Sequence, residues 1–164
     1  GITNDSGMVS ESESISIIRN AITEGIEYID TAAAYGSSEQ VISKALMGGW
    51  SNRVKVITKL SPFRDEELKE NHGASLSLMV RNSFLQSCVN LRVDHLDTLM
   101  LHRAEHLNYP LICSELRKLK EEGLIKHIGV SVQSPQFQKE HLAQQYFEQL
   151  DLRSINLKKY PQNH

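Results

Sequence analysis

Four polar residues that could transfer protons each lie at or just past the end of a short apolar strand pattern. They are Asp30, Tyr35, Lys59 and His102, and they come from segments far apart in the chain. If these strands are parallel neighbours, their carboxyl ends meet at one rim of a sheet and the four side chains converge there. A carboxylate, a phenol, an ammonium group and an imidazole at one place can donate, accept and relay a proton. The pattern therefore predicts a proton-transfer site assembled from separate segments.

The elements that would position these side chains alternate along the chain. Short β-prone runs predict strands at 26–30, 54–58, 96–101 and 125–132. Apolar residues at helical spacing predict helices over 11–24, from Ser37 to Gly48, over 74–91, from Pro110 to Gly123 and from Ser134 to Leu150. Ser37 and Gln40 resemble a capping box at the start of the second helix, and residues 62–73 are expected to form a polar loop.

Strict alternation of strands and helices is typical of right-handed βαβ units, which form a parallel sheet covered on both faces. Two α/β architectures remain, a doubly wound open sheet and a (β/α)8 barrel. Neither GxGxxG nor GxxxxGK(S/T) occurs in the sequence, so it lacks the phosphate loop typical of the open sheet. A barrel builds its active site at the C-terminal ends of several strands, where the four polar residues lie. The sequence therefore favours the barrel.

Composition and charge argue against several classes of partner. The 164 residues are 40% hydrophobic and have a net charge of −2, with no cluster of lysine or arginine. We therefore expect no nucleic acid and no anionic membrane as a partner. No apolar run approaches the roughly 20 residues of a membrane span. Cys88 and Cys113 both fall in apolar helical patterns, and two buried thiols are typical of a reducing compartment, so we expect a cytoplasmic protein.

Each of the four polar residues also has an ordinary interpretation. Asp30 could be a turn residue after a strand, and Tyr35 could be a loop aromatic packed on the rim. Lys59 could be solvated, and His102 could be a satisfied histidine near the core. Four such residues at one rim by accident would be an unusual coincidence, and their joint placement favours a shared role.

The run from His102 to His106 also matches H-x-x-E-H, the spacing of one class of zinc proteases. That chemistry requires both histidines to lie on one face of a helix. Here the motif follows a predicted strand and precedes Pro110, which starts a new helix. We therefore expect no metal, and we expect His106 to be a loop residue.

Four stretches of the sequence, in order, resemble motifs of the aldo-keto reductases. Residues 25–46 (GIEYIDTAAAYGSSEQVISKAL) resemble the first family signature, a strand ending in Asp-Thr-Ala followed by Tyr-Gly and a glutamate that opens the next helix. VKVITKL at 54–60 resembles the lysine strand, LDTLMLHR at 96–103 the histidine strand, and GLIKHIGVSV at 123–132 the fifth strand. The pattern is closest to the bacterial aryl-alcohol-dehydrogenase-like branch.

The resemblance implies an NADPH-dependent oxidoreductase that reduces an aldehyde or ketone, a small-molecule carbonyl substrate, to an alcohol. Tyr35 would act as the general acid that protonates the developing alkoxide. An unperturbed phenol has a pKa of about 10, and a neighbouring cation favours the phenolate, so Lys59 and Asp30 would tune Tyr35 for this role. His102 would orient the carbonyl.

For the cofactor, the resemblance implies two contacts. Ser131 matches a serine that binds the nicotinamide carboxamide, and Asn156 is the counterpart of a glutamine on the sixth strand. We expect a single partial barrel domain over 1–164, with 151–164 as a divergent C-terminal tail. It would contain about four to five βα units and lack the first strand and the last two or three strands. Those missing strands include the ones that bind the cofactor phosphates in the family.

Three functions stay open at this point. The first is a reductase, known here in part or completed by a second copy. The second is a non-catalytic binding or regulatory module that keeps the barrel motifs. The third is a barrel lyase or isomerase in which Lys59 forms a Schiff base with the substrate. Because a partial barrel has open sheet edges, we also expect self-association through those edges.

Overall fold

Helices and parallel strands alternate in the computed structural model, which describes residues 10–131. The helices are α1 (Glu11–Thr23), α2 (Ser38–Ala45), α3 (Asp65–Glu70), α4 (Ala74–Leu91) and α5 (Pro110–Glu121). The strands are β1 (Tyr28–Asp30), β2 (Lys55–Lys59), β3 (Leu96–Leu101) and β4 (Ile125–Val130). Two 3-10 turns, Trp50–Arg53 and Ala104–Asn108, lie before β2 and after β3.

The strands form one sheet in the order β1-β2-β3-β4, and all three pairs are parallel. Asp30 at the end of β1 pairs with Ile57, two residues before β2 ends at Lys59. Lys59 in turn pairs with Met100, while β3 continues to Leu101. β3 and β4 end level, because Leu101 pairs with Val130. The stagger of β1, β2 and β3 is in the direction expected where a parallel sheet curves into a barrel. The predicted α/β fold with a parallel sheet is confirmed.

The hydrophobic core lies between the helices and the sheet. Its fully buried members include Phe84 of α4, Leu116 and Leu119 of α5, Leu99 of β3 and Ile128 of β4. Burying each such side chain contributes about 1.5–3 kcal/mol to folding. These residues recur at the helical and strand periods read from the sequence, so the periodicity correctly located the core.

Both cysteines are buried, as the sequence predicted, and neither forms a disulfide. Cys88 lies on α4 and Cys113 on α5. Burial raises the pKa of each thiol to about 11. Since the thiolate is the reactive form, these are inert packing residues at neutral pH.

The first strand is shorter than the sequence indicated. We expected it to begin at Ile26, but β1 begins at Tyr28. The Ile26 N–H donates to the Ala21 carbonyl at 3.2 Å and the Gly25 N–H to Ile22 at 3.0 Å, with Gly25 at φ +105°. This is the Schellman arrangement that ends a helix, so the N–H of Ile26 terminates α1 and does not join the sheet.

Two other local predictions were wrong. The Ser37 side chain makes no capping hydrogen bond, because the chain enters α2 from a turn in which the Ser38 N–H donates to the Tyr35 carbonyl at 3.0 Å. The expected polar loop at 62–73 contains the short helix α3. Acidic residues fill its first turn, where the helix dipole favours them, and the Glu67 carboxylate accepts the Arg64 N–H at 2.8 Å.

The strand β4 ends at Val130, short of the predicted end at Val132. Val132 itself, the predicted fifth helix and Asn156 lie outside the described residues. Among residues 10–131, no helix combines the length and apolar character needed to cross a membrane.

Candidate active site

Strand register places three of the four predicted site residues on one face of the sheet. Residues paired between parallel strands share a face, and along a strand the faces alternate. Asp30 pairs with Ile57, so it shares a face with Lys59 two residues further along β2. Lys59 pairs with Met100, so it shares a face with His102, just past the end of β3. The sheet thus presents a carboxylate, an ammonium group and an imidazole from three neighbouring strand ends.

Tyr35 reaches the same rim from the loop between β1 and α2. The loop continues the sheet's hydrogen bonding, since the Thr31 N–H donates to the Ile57 carbonyl at 2.8 Å and the Ala33 N–H to Lys59 at 3.2 Å. Gly36 then turns the chain at φ +55°, a conformation that glycine adopts without strain. These backbone contacts bring the loop over the end of β2.

The four side chains lie together. Lys59 Nζ donates to Tyr35 Oη at 3.1 Å and lies 3.5 Å from Asp30 Oδ1. The rings of Tyr35 and His102 meet edge to face, with centroids 5.9 Å apart. The Lys59 side chain is 6% exposed, whereas that of Asp30 is 34% exposed, so the ammonium group is buried beside a partly hydrated carboxylate. The predicted convergence of Asp30, Tyr35, Lys59 and His102 is therefore observed.

Burial and charge shift the protonation equilibria of two members. Burial raises the pKa of Asp30, and the neighbouring Lys59 ammonium opposes this effect. Burial also lowers the pKa of His102, and the positive charges of Lys59 and Arg103 lower it further. The His102 imidazole is therefore neutral at pH 7. Its Nδ1 is buried and has no hydrogen-bond partner among residues 10–131, so hydrogen-bonding capacity remains unused at this rim.

Ser131, the first residue after β4, lies at the same rim. Its N–H donates to the Leu101 carbonyl at 2.9 Å, and its side chain is partly buried. Gly129 pairs with Met100, so Ser131, two residues further along, shares the face of Lys59 and His102. Ser131 thus adds a hydroxyl to this face at the rim, beside the four predicted side chains.

Sequence reasoning missed a polar cluster directly behind the site. The buried Glu39 carboxylate accepts the Thr58 hydroxyl at 2.7 Å and the Asn90 amide at 3.0 Å. The hydroxyls of Thr31 and Ser38 form a second buried hydrogen bond of 2.8 Å. The available signal was that Thr58 of β2 and Thr31, the first residue after β1, are polar at positions that face the helices.

His106 lies in the connection between β3 and α5, as predicted for a loop residue, and it is buried there. It lies in the 3-10 turn after β3, is 1% exposed, and packs between the rings of Phe63 and Tyr109 at centroid distances of 5.9 and 6.1 Å. Within residues 10–131, no group of three or more histidine, cysteine, aspartate and glutamate side chains is arranged to bind a metal ion. His106 is therefore a core residue of the described structure.

Comparison with known proteins places this geometry in a family. Residues 1–146 match the Aldo/keto reductase family. D-arabinose 1-dehydrogenase of Saccharomyces cerevisiae is 34% identical over 122 residues, which cover 70% of this chain and 35% of that protein. The chain spans about a third of the length of the curated relatives it matches.

Solved structures agree with the sequence comparison. An aldo-keto reductase from Bacillus halodurans, in its holo form, superposes with a TM-score of 0.61 at 26% identity, over 74% of this chain and 42% of the other. An aldo-keto reductase from Klebsiella pneumoniae in complex with NADPH gives a TM-score of 0.64 at 24% identity, over 85% and 44%. These likenesses confirm the partial (β/α)8 barrel fold predicted from the sequence. The chain belongs to the aldo/keto reductase family.

Proposed function

We propose that this protein is an NADPH-dependent oxidoreductase that reduces an aldehyde or ketone to an alcohol. Membership of the aldo/keto reductase family supports an oxidoreductase. The observation that carries the proposal is the hydrogen bond of 3.1 Å from Lys59 Nζ to Tyr35 Oη, with Asp30 at 3.5 Å from the same ammonium group. A phenol bonded to a buried cation is suited to giving up a proton.

Tyr35 is the proposed proton donor. When hydride reaches the carbonyl carbon, negative charge develops on the carbonyl oxygen, and the Tyr35 O–H transfers its proton to that oxygen. The phenolate that remains is stabilised by the Lys59 ammonium, which donates to it. Asp30 lies 3.5 Å from the Lys59 ammonium group and orients it, and at 34% exposure the Asp30 carboxylate is partly hydrated.

His102 is the proposed orienting group. Burial, Lys59 and Arg103 lower its pKa, so the imidazole is neutral and does not compete with Lys59 as a cation. One of its ring nitrogens can therefore donate a hydrogen bond to the substrate oxygen near Tyr35, whose ring centroid is 5.9 Å away.

The side chains at this rim fit a nicotinamide cofactor. The nicotinamide of NADPH supplies the hydride when bound. Ser131 offers a hydroxyl to its carboxamide on the face shared with Lys59 and His102, and the unused hydrogen-bonding capacity at His102 Nδ1 is consistent with a polar ligand there. From the family resemblance alone we propose Asn156, which lies outside the described residues, as a second contact. Two Klebsiella pneumoniae aldo-keto reductases of similar fold were solved with NADPH and with NADP and acetate.

The geometry argues against a Schiff-base enzyme. A lysine that attacks a carbonyl must be a neutral amine, and such lysines lie in apolar pockets or beside another cation. Lys59 instead lies beside an opposite charge, 3.5 Å from the Asp30 carboxylate. Its environment therefore favours an electrostatic role.

The test is NADPH-dependent reduction of a panel of aldehydes by the purified protein, comparing Tyr35→Phe with Tyr28→Phe. The two tyrosines are matched, because they are 38% and 37% exposed and each lies beside a lysine of β2. Loss of a general acid should lower kcat by about 10²–10⁴-fold in Tyr35→Phe alone. Equal activity of the two variants would refute the assignment. A protein that binds NADPH but turns over no carbonyl would support the non-catalytic module instead.

A further inference from the structure

A buried carboxylate lies on the opposite side of the sheet from the proposed active site. Glu39 is the second residue of α2 and is 1% exposed. Among residues 10–131 it forms no ion pair with a lysine, arginine or histidine. Burying a carboxylate is costly unless hydrogen bonds compensate. Its two oxygens accept the Thr58 hydroxyl at 2.7 Å and the Asn90 amide at 3.0 Å, and the N-terminus of α2 adds a favourable dipole.

The residues that bond to the first turn of α2 are adjacent in sequence to the site residues. Thr58 immediately precedes Lys59 on β2, so its side chain points to the helix-facing side while Lys59 points to the site. Thr31 immediately follows Asp30, and its hydroxyl bonds to that of Ser38, the first residue of α2, at 2.8 Å. One turn of α2 is therefore bonded to the backs of both strands that carry the ion pair.

Tyr35 lies in the loop between these two attachments. The loop begins at Thr31 and ends where α2 begins at Ser38. A displacement of α2 relative to β2 would therefore change the distance from Tyr35 Oη to Lys59 Nζ. The hydrogen bond from Thr58 to Glu39 opposes that displacement directly.

The orientation of Asn90 makes an acceptor at position 39 necessary. Asn90 Oδ1 accepts from Gln86 Nε2 at 2.9 Å and from Gln40 Nε2 at 3.3 Å. Because its oxygen is already directed to two donors, its Nδ2 faces Glu39. A glutamine at position 39 could still serve, with its oxygen toward Asn90 and its amide donating to the Thr58 hydroxyl. An apolar residue could not.

We propose that Glu39 is a positioning residue that, through Thr58 and Asn90, sets the separation of Tyr35 and Lys59 from the far side of the sheet. This inference rests on the proposed reductase function for its catalytic consequence, but its geometric content can be measured without cofactor. Hydrogen bonding at position 39, and not its charge, is the required property. Glu39→Gln should therefore preserve the site, whereas Glu39→Leu and Thr58→Val should disturb it.

The geometric readout is the NMR signal of the Lys59 ε-methylene group in protein labelled with 13C-lysine. Lys59 Nζ lies 4.9 Å from the centre of the Tyr35 ring, so the ring current shifts this signal and reports the separation. In Thr58→Val the signal should move toward that of a solvated lysine, and in Glu39→Gln it should stay in place. Thr98→Val is the control for loss of a buried threonine hydroxyl, because Thr98 is equally buried on the neighbouring strand, lies on the site face of the sheet and not on the face that contacts α2, and bonds only to Asp97 in the described contacts.

The kinetic readout compares the change in kcat with the change in KM. Misplacing a reacting group by about 1 Å costs on the order of a hundredfold in rate, so kcat should fall by about that factor in Thr58→Val and in Glu39→Leu. KM should change by less than about threefold, because substrate contacts are untouched. A purely structural role would lower stability in Thr58→Val and Thr98→Val alike and leave both readouts unchanged in the molecules that fold.

Asn90→Ala provides a second variant if Thr58→Val fails to fold, because Asn90 is only partly buried. An unmoved Lys59 signal in both Thr58→Val and Asn90→Ala, or a Glu39→Gln variant as impaired as Glu39→Leu, overturns the inference. A moved signal in a protein without carbonyl reductase activity leaves the positioning role standing and refutes the proposed function alone.

Discussion

Replacing Lys59 with methionine tests the hydrogen bond from Lys59 to Tyr35 in the proposed site. Methionine keeps most of the side-chain length and removes the ammonium group, which lies 3.1 Å from Tyr35 Oη and 3.5 Å from Asp30 Oδ1. In the proposed reaction, negative charge develops on the Tyr35 oxygen as its proton leaves. The substitution therefore removes the cation nearest to that charge among the described contacts.

The size of the effect follows from the distance. At the observed separation of 3.1 Å, two unit charges attract by about 5 kcal/mol with an effective dielectric constant of about 20. Tyr35 is 38% exposed, so solvent screens part of this attraction. If roughly 3 kcal/mol of transition-state stabilisation remains after this screening, its removal corresponds to a loss of about 150-fold in kcat.

The assay is steady-state carbonyl reduction at saturating NADPH, with Lys55→Met, at an exposed lysine of the same strand, as the control. Lys55 lies on the same face of β2, and its Nζ is 6.0 Å from the centre of the Tyr28 ring. Lys59→Met should lose kcat with KM within about threefold of wild type, and Lys55→Met should resemble wild type. A folded Lys59→Met with wild-type kcat, or an equal loss in both variants, would refute the reasoning.

The other predictions concern stability and reactivity. Glu115 is 6% exposed and accepts a hydrogen bond from Arg81 Nε at 2.7 Å. Arg81→Met removes this cation and should lower the free energy of unfolding by about 3 kcal/mol in urea titrations. Unchanged stability would contradict this prediction. Burial, reinforced by Arg103, lowers the pKa of His106 despite the opposing Phe63 carbonyl. Neutral His106 therefore contributes fully to stability above the unfolded-state pKa of about 6.5, and this contribution is lost as the pH falls below that value. In the profile of unfolding free energy against pH, His106→Phe should therefore reduce the slope on the acid side. Cys88 and Cys113, with pKa raised to about 11, should react with thiol reagents only at the rate of unfolding.

Much of the fold could be predicted because its helices and strands bury apolar residues at regular helical or strand spacing. The helix Ala74–Leu91 and the strand Leu96–Leu101 have the bounds that their apolar periods predicted. The helix Asp65–Glu70 was missed because it is six residues long and buries only Leu68, so it has no apolar stripe to detect. Its stability comes from acidic residues at its N-terminus, a signal that resembles an ordinary polar loop.

The candidate site was predictable where topology alone determines it. Carboxyl ends of parallel strands meet at one rim, so Asp30, Lys59 and His102 could be brought together without side-chain coordinates. The Glu39 cluster could not, because its hydrogen bonds join residues 19 and 51 positions apart in the sequence and depend on how α2 and α4 pack. The roles of the four site residues and of Ser131 stay predictions until activity is measured.

A double-mutant cycle of Tyr35→Phe and Lys59→Met in kcat for carbonyl reduction tests the central claim most directly. If Lys59 acts through the Tyr35 phenol, as the contact of 3.1 Å indicates, losing the phenol removes what Lys59 contributes, and the effects are strongly non-additive. The double variant should then be no slower than Tyr35→Phe by more than about threefold. Losses that multiply, so that the double variant is slower by the product of the two single effects, would show that the residues act independently and would contradict the proposed tyrosine acid.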